Sequence, residues 1–386
     1  MPHPTSRSDW PRWPQFGDEE AEAVAAVVRS QQIFAAEQVK KFEVDFAAFL
    51  GAKHAIGVGN ATQGLHLALA AINVGEGDEV IVTPCSWISS SSCVLMQNAV
   101  PVFVDIEPES LGLDPEKLEQ AITPLTKAII PVHILGYPAR IEEICEVAES
   151  HNIPVIEDGS HAPGASVKDK MLGTFGTMGV FSLQQRKAIS TGDGGVICTD
   201  DVEVAKKLWR LRSFGDDELS YNYRMTEFAG VLGQIGLQKL GRHNKERAQA
   251  AQYLSKIFES HPKIRIRHPR PNETGVYYAI AIEVDISDTS SAELVSRLEA
   301  RGYPIRRVFS PLNLHPHFNP VAKPARGLPW EHPSYVGSMR GIRYENLDLP
   351  VSYKYCRGRV LELYAHPGIS ESQLDDFATD LLAEIN

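Results

Sequence analysis

Phe181-Ser182-Leu183-Gln184-Gln185-Arg186-Lys187-Ala188-Ile189-Ser190-Thr191-Gly192-Asp193-Gly194-Gly195-Val196-Ile197 is the stretch on which the reading of this chain turns. It predicts an apolar strand from Gly179 to Leu183, a polar loop carrying one lysine, and a glycine-rich turn that feeds a second strand from Gly195 to Thr199. A lysine in a polar loop is ordinarily a solvated charge, so its meaning depends on what the rest of the chain brings to it.

Two upstream segments matter. Ala55-Ile56-Gly57-Val58-Gly59 predicts a short strand, followed by Asn60-Ala61-Thr62 and a nearly all-apolar helix from Leu65 to Ile72. The first turn of a helix leaves backbone N–H groups unpaired, which makes an anion site; an N-cap by Asn60 or Thr62 with no ligand is the equal alternative. Further on, Asp158 follows the strand Val155-Ile156 and reads either as another cap or as a functional acid. A phosphate site, an acid and a lysine together are what pyridoxal phosphate chemistry needs: the lysine forms a Schiff base, the acid partners the pyridinium nitrogen and backbone donors hold the phosphate.

The intervening sequence predicts a framework that would gather these groups. Strands at Glu79–Thr83, Val100–Val104, Ala128–His133 and Pro154–Ile156 alternate with helices near Pro115–Ile122 and Ile141–Ser150. This predicts an α/β fold with a mostly parallel sheet covered on both faces. Ligands of such sheets bind beyond the carboxyl ends of the strands, so Asp158 and Lys187 are expected at one edge. Trp87, in the small polar loop Pro84–Ser90, reads as a core plug or as a stacking surface for a flat ligand.

On the flanks, residues 1–16 with Trp10-Pro11-Arg12-Trp13-Pro14 predict an ordered arm, followed by amphipathic helices at Asp18–Ser30 and Ala36–Leu50. Val202–Arg212 predicts a helix with Val204, Ala205, Leu208, Trp209 and Leu211 inward, and Arg224-Met225-Thr226-Glu227 resembles a capping box before an apolar helix. A long charged helix from Gly241 to His261 joins a large domain, residues 1–245, to a smaller α+β domain, residues 246–386. In the latter, Gly275–Val284 predicts a strand, Ser291–Arg301 a helix, Arg306–Pro320 a loop and Ser370–Ile385 a closing helix. His315 and His317 are fewer donors than a zinc site requires.

With 386 residues and 43% apolar content, the chain exceeds one ordinary domain and can bury a large core. A formal charge of −11 argues against displacing counterions from nucleic acid. Five cysteines without a C-x-x-C pair indicate neither zinc nor a disulfide framework and fit a reducing cytoplasm, and neither an export signal nor a membrane span is expected.

From Trp13 to the C-terminus the chain resembles the DegT/DnrJ/EryC1/StrS family of fold type I pyridoxal phosphate aminotransferases, which act on keto-sugars and aminocyclitols. The family's Ser-Gly-Thr before Leu-His-Leu-Ala is matched by Asn60-Ala61-Thr62 and Leu65-His66-Leu67-Ala68, which implies that Ala61 and Thr62 bind the cofactor phosphate. Ser86-Trp87-Ile88 assigns Trp87 to the pyridine ring. Ile156-Glu157-Asp158-Gly159-Ser160-His161-Ala162 implies that Asp158 pairs with the pyridinium nitrogen and that His161 lies near the ring hydroxyl. Phe181-Ser182 and Lys187 imply Ser182 on the phosphate and Lys187 in the Schiff base.

Tyr221-Asn222-Tyr223-Arg224-Met225 matches the family segment that reaches the phosphate of a neighbouring subunit, which implies a homodimer with Asn222, and after it Arg224, in that role. Gln184-Gln185 is closer to the aminocyclitol and glutamine-using branch, whereas Pro311-Leu312-Asn313-Leu314-His315-Pro316 departs from the family's Pro-Leu-His motif near the substrate. The resemblance thus implies amino transfer from glutamate or glutamine to a keto-sugar or keto-cyclitol. Dehydration, which relatives perform with histidine in place of the lysine, and a non-catalytic cofactor-bound regulator are the alternatives. A nicotinamide-binding Rossmann enzyme is disfavoured because Gly57-Val58-Gly59-Asn60-Ala61-Thr62 breaks G-x-G-x-x-G at its last position.

Overall fold

The computed structural model describes residues 10–385 except 216, 287, 322 and 324–326, so residues 1–9 of the expected arm lie outside the described residues. Seven strands build the main sheet: β1 His54–Val58, β2 Glu79–Val82, β3 Val100–Phe103, β4 Thr126–Ile130, β5 Ile156–Asp158, β6 Met178–Ser182 and β7 Gly195–Thr199. β3 and β4 pair parallel to β2, parallel bridges Ile129–Val155 and Val132–Asp158 join β4 to β5, and β5 pairs parallel to β6. β7 runs antiparallel between β6 and β1. The order is therefore β3-β2-β4-β5-β6-β7-β1, mostly parallel as expected.

Every residue of β2, β3, β6 and β7 is buried, which is why these strands read as continuous apolar runs. The helices that cover them are α1 Asp18–Ser30, α2 Glu37–Leu50, α3 Ala61–Ala71, α4 Ser89–Met96, α5 Pro115–Ala121, α6 Ile141–Ser150, α7 Val202–Arg212 and α8 Glu227–Phe258. No helix of the described residues is long and apolar enough to cross a membrane.

Three local expectations need correction. α8 is one 32-residue helix rather than two segments, because a glycine inside a helix, here Gly241, costs only about 1 kcal/mol relative to alanine and does not by itself end it. Trp209 of α7 is 37% exposed rather than inward, its ring edge-on to His54. The strand expected from Gly275 begins only at Ile280, because Tyr277 takes φ 50° and the backbone bonds the 135–136 loop instead, with Val276 N–H on the Gly136 carbonyl at 3.0 Å.

The C-terminal sheet is antiparallel, from β8 Ile264–Ile266, β9 Ile280–Val284, β10 Ile305–Arg307 and β11 Val360–Leu363 in the order β8-β9-β11-β10, with helices Asp288–Ala300 and Glu371–Ile385. The chain between β10 and β11 returns to the large sheet: Tyr344 donates its hydroxyl to Pro101 O at 2.7 Å and Tyr335 to Glu79 at 2.6 Å. Trp10 of the arm is buried against Tyr303 and Phe377 of the C-terminal lobe.

Candidate active site

The carboxyl ends of β5 and β6, the start of α3 and the C-terminal lobe enclose a cavity of about 630 Å³, a size that suits a cofactor with substrate. Of the residues singled out in the sequence, Ala61, Thr62, Trp87, Asp158, His161, Ser182 and Lys187 all line it. Asn222 does not line the cavity of its own chain; it is exposed and accepts the Arg224 Nε–H at 3.0 Å.

Asp158 closes β5, and its neighbour Glu157 anchors that strand end. The buried Glu157 carboxylate accepts the N–H groups of Gly173, Phe175 and Gly176, each at 2.7 Å, and lies 3.0 Å from His133 Nε2. Asp158 Oδ1 accepts from Ser160 N–H at 3.1 Å, and Oδ2 from the Ser90 hydroxyl at 2.7 Å. A carboxylate held on both oxygens keeps its direction in the cavity.

At the start of α3, Asn60 caps the helix by accepting from Gln63 N–H at 2.9 Å. The cap expected from the sequence is therefore present, and it leaves the backbone N–H groups of Ala61 and Thr62 without an acceptor among the described residues. Gly195 lets β7 approach this turn: a Cβ there would lie 2.6 Å from Asn60 C and 2.7 Å from Ala61 N. Thr62 Oγ1 and Ser89 Oγ sit 2.7 Å apart on the same wall, with Ser182 at the end of β6. Free backbone donors, hydroxyls and the positive end of a helix fit a phosphate.

Lys187 lies in the loop after β6, its Nζ 4.8 Å from the centre of the Tyr278 ring. Burial pushes the Lys187 ammonium down to about 8; Asp158 and Glu362 oppose that shift and Arg306 adds to it. His161 is stacked on Tyr278, 4.2 Å between ring centres at 7°. Its Nδ1 accepts Leu135 N–H at 3.2 Å, which leaves the ring proton on Nε2, and burial, with Lys187 and Arg306 nearby, holds its pKa well below that of an ordinary histidine. Trp87 is 60% exposed at the mouth, edge-on to Phe309, so it plugs no core.

Sequence reasoning did not find the C-terminal side of the cavity: Tyr278, Arg306, Phe309 and Tyr364. Arg306 Nε lies 2.5 Å from Glu362, a buried carboxyl that burial itself shifts upward against the pull of Arg306. These residues sit in strands and loops of unremarkable pattern; only the density of proline and histidine after Arg306 marked the region. His315 and His317 have ring centres 4.5 Å apart, and among the described residues no group of three metal-ligating side chains forms.

The sequence pattern of the DegT/DnrJ/EryC1/StrS aminotransferase family matches residues 14–331. An L-glutamine:2-deoxy-scyllo-inosose aminotransferase of Streptomyces kanamyceticus is 32% identical over 407 residues, covering 97% of this chain and 93% of that protein. GDP-perosamine synthase of Caulobacter vibrioides is 36% identical over 300 residues, covering 74% and 79%. Among solved structures, an aminotransferase from Psychrobacter cryohalolentis superposes with a TM-score of 0.85 at 28% identity, covering 97% of this chain and 99% of that one. These proteins are fold type I, and the family is pyridoxal phosphate-dependent. Matched across the strand ends, the α3 start and the Lys187 loop, the chain belongs to the DegT/DnrJ/EryC1/StrS aminotransferase family.

Proposed function

We infer that this chain binds pyridoxal phosphate in the cavity and moves an amino group from glutamine or glutamate to a keto-cyclitol or keto-sugar. The observation that carries the reading is the convergence of Lys187 and Asp158 with the unpaired N–H groups of Ala61 and Thr62 on one cavity. The relatives' names support the substrate class, and the cyclitol enzyme, which aligns with 97% of the chain, makes a keto-cyclitol the first acceptor to try.

When bound, pyridoxal phosphate supplies an electron sink that stabilises negative charge at the donor carbon. Ala61 and Thr62 N–H, Thr62 Oγ1 and Ser182 would hold the phosphate, and Asp158 would face the ring nitrogen as its anion partner. His161 would offer Nε2–H to the ring hydroxyl, and Trp87 would cover a ring face. Lys187 would hold the cofactor through Nζ and, as a free amine, would carry a proton from the donor's α-carbon. Because its ammonium ionises near 8 rather than above 10, a larger share of Lys187 is the neutral amine that accepts a proton near neutral pH.

The reading includes a cofactor-binding domain through residue 245, an α+β domain from 246, and a homodimer in the cytoplasm in which Asn222 and Arg224 serve the neighbouring site. Exposed Phe34 and Phe214, with Arg224 4.8 and 5.0 Å from their ring centres, support a partner at that surface. The test is the absorbance of the purified protein with pyridoxal phosphate, before and after glutamine or glutamate. A lysine-bound cofactor band that one donor discharges supports the reading; absence of the band refutes it. A panel of keto-cyclitols and keto-sugars then identifies the acceptor.

A further inference from the structure

Both backbone polar groups of Lys187 are held, one within its own loop and one by a distant part of the chain. Its N–H donates to the Gln184 carbonyl at 2.7 Å within the loop. Its carbonyl accepts the indole N–H of Trp13 at 2.9 Å, across 174 residues of sequence. The lysine loop has no helix or strand of its own, so this carbonyl has no ladder partner; the arm supplies one.

Trp13 is itself well anchored. Its ring stacks on His366 at 5.8 Å and 20°, meets His243 edge-on at 5.4 Å, and lies 4.8 Å from the Arg247 guanidinium. Burial pushes both imidazoles down to about 4, so they are uncharged neighbours, while Arg247, pushed down to about 10, remains a cation over the indole. On either side, Trp10 Nε1 donates to the Tyr364 carbonyl at 2.8 Å and Gln15 Nε2 to the Pro367 carbonyl at 2.7 Å. The arm therefore ties α8, the chain after β11 and the lysine loop to one another.

We propose that Trp13 is a positioning residue for the reaction, fixing the main chain of Lys187 so that Nζ is delivered from an immobile root. The proposal rests on the reading that Lys187 carries the cofactor and moves the proton. A lysine side chain has four soft torsions, and freedom at its root adds to the volume Nζ explores. A misplacement of about 1 Å at a reacting atom can cost on the order of 100-fold in rate, so a bond that limits the root acts on kcat.

The experiment compares full-length wild type with Trp13→Phe, which keeps an aromatic ring and loses the N–H, and with Gln15→Ala, which cuts another tie of the arm away from Lys187. Two readouts are taken, kcat with KM for both substrates and, without turnover, the rate at which apo protein captures pyridoxal phosphate as absorbance. Trp13→Phe is expected to lower kcat and the capture rate about tenfold, with KM within about twofold and thermal midpoint within a few degrees, while Gln15→Ala matches wild type. Equal kcat and capture rates in Trp13→Phe and wild type would overturn the proposal, as would equal losses in both variants, which mark a generally loosened arm. A wild type that never develops the lysine-bound band overturns the underlying reading as well, whereas a normal wild-type band beside an unaffected Trp13→Phe overturns the positioning role alone.

Discussion

Ser90 donates its hydroxyl to Asp158 Oδ2 at 2.7 Å, both residues buried, and Ser86 Oγ lies a further 2.7 Å from Ser90 Oγ. The acid at the end of β5 is thus oriented by α4 and the loop before it, elements reached through a different crossover of the sheet. Ser90→Ala removes the only side-chain donor to that oxygen among the described residues. Hydrogen bonds to charged groups are worth about 1.5–3 kcal/mol, so kcat is expected to fall about tenfold or more with the circular dichroism spectrum unchanged.

Asp158→Asn keeps the shape of the side chain and removes the charge that would face the cofactor's ring nitrogen. Turnover is expected to fall on the order of 10²–10³-fold, the size seen when one preorganised electrostatic group is removed, and cofactor affinity far less. Steady-state kinetics beside a cofactor titration separates the two, and wild-type kcat in this variant would remove Asp158 from the mechanism.

Lys187 should report its own environment. Burial lowers its pKa to about 8, and only the neutral amine attacks an aldehyde, so capture of pyridoxal phosphate by apo protein is expected to quicken as pH rises towards 8 and to level off above it. The unfolded lysine keeps its proton to about 10.4. The folded apo protein therefore carries a cost for the charged lysine below about pH 8 that is relieved as pH rises from there towards that value. Stopped-flow absorbance from pH 6 to 10 measures the midpoint; one near 10 contradicts the burial argument.

Glu227 accepts the N–H groups of Ala36 and Gln38, both at 2.8 Å, and of Val39 at 3.0 Å, and so caps α2 from the first residue of α8. Glu227→Ala leaves those donors without their acceptor, and a loss of about 3 kcal/mol in unfolding free energy is expected in denaturant melts. An unchanged melt would mean that water replaces the carboxylate at no cost.

Glu227 also illustrates where sequence reading stops. The sequence reading puts it in a capping box with Thr226, and Thr226 does cap α8 through Ala229 N–H at 3.2 Å, but the return position of such a box is Ala229 itself, so no box forms. The glutamate instead reaches the start of another helix, a choice made by how α2 packs on α8. Glu157 is similar: it sits in an Ile-Glu-Asp run read for its aspartate, yet it is the clamp that holds three loop N–H groups.

What the sequence by itself determined is local and periodic. Continuous apolar runs require strands buried on both faces, the alternation with helices requires a mostly parallel sheet, and Asp158 ends a strand while Lys187 and the Asn60–Thr62 turn follow one, so chain direction alone sends them to one edge. What only the tertiary structure decided is everything contributed from far away in sequence: Tyr278, Arg306 and Tyr364 across the cavity, Ser90 on Asp158, and Trp13 on the carbonyl of Lys187. None of these contacts has a period or a spacing, because each forms between surfaces that meet only after both lobes and the arm have packed, and the hydrogen bond at each is selected by that geometry rather than by its neighbours in the chain.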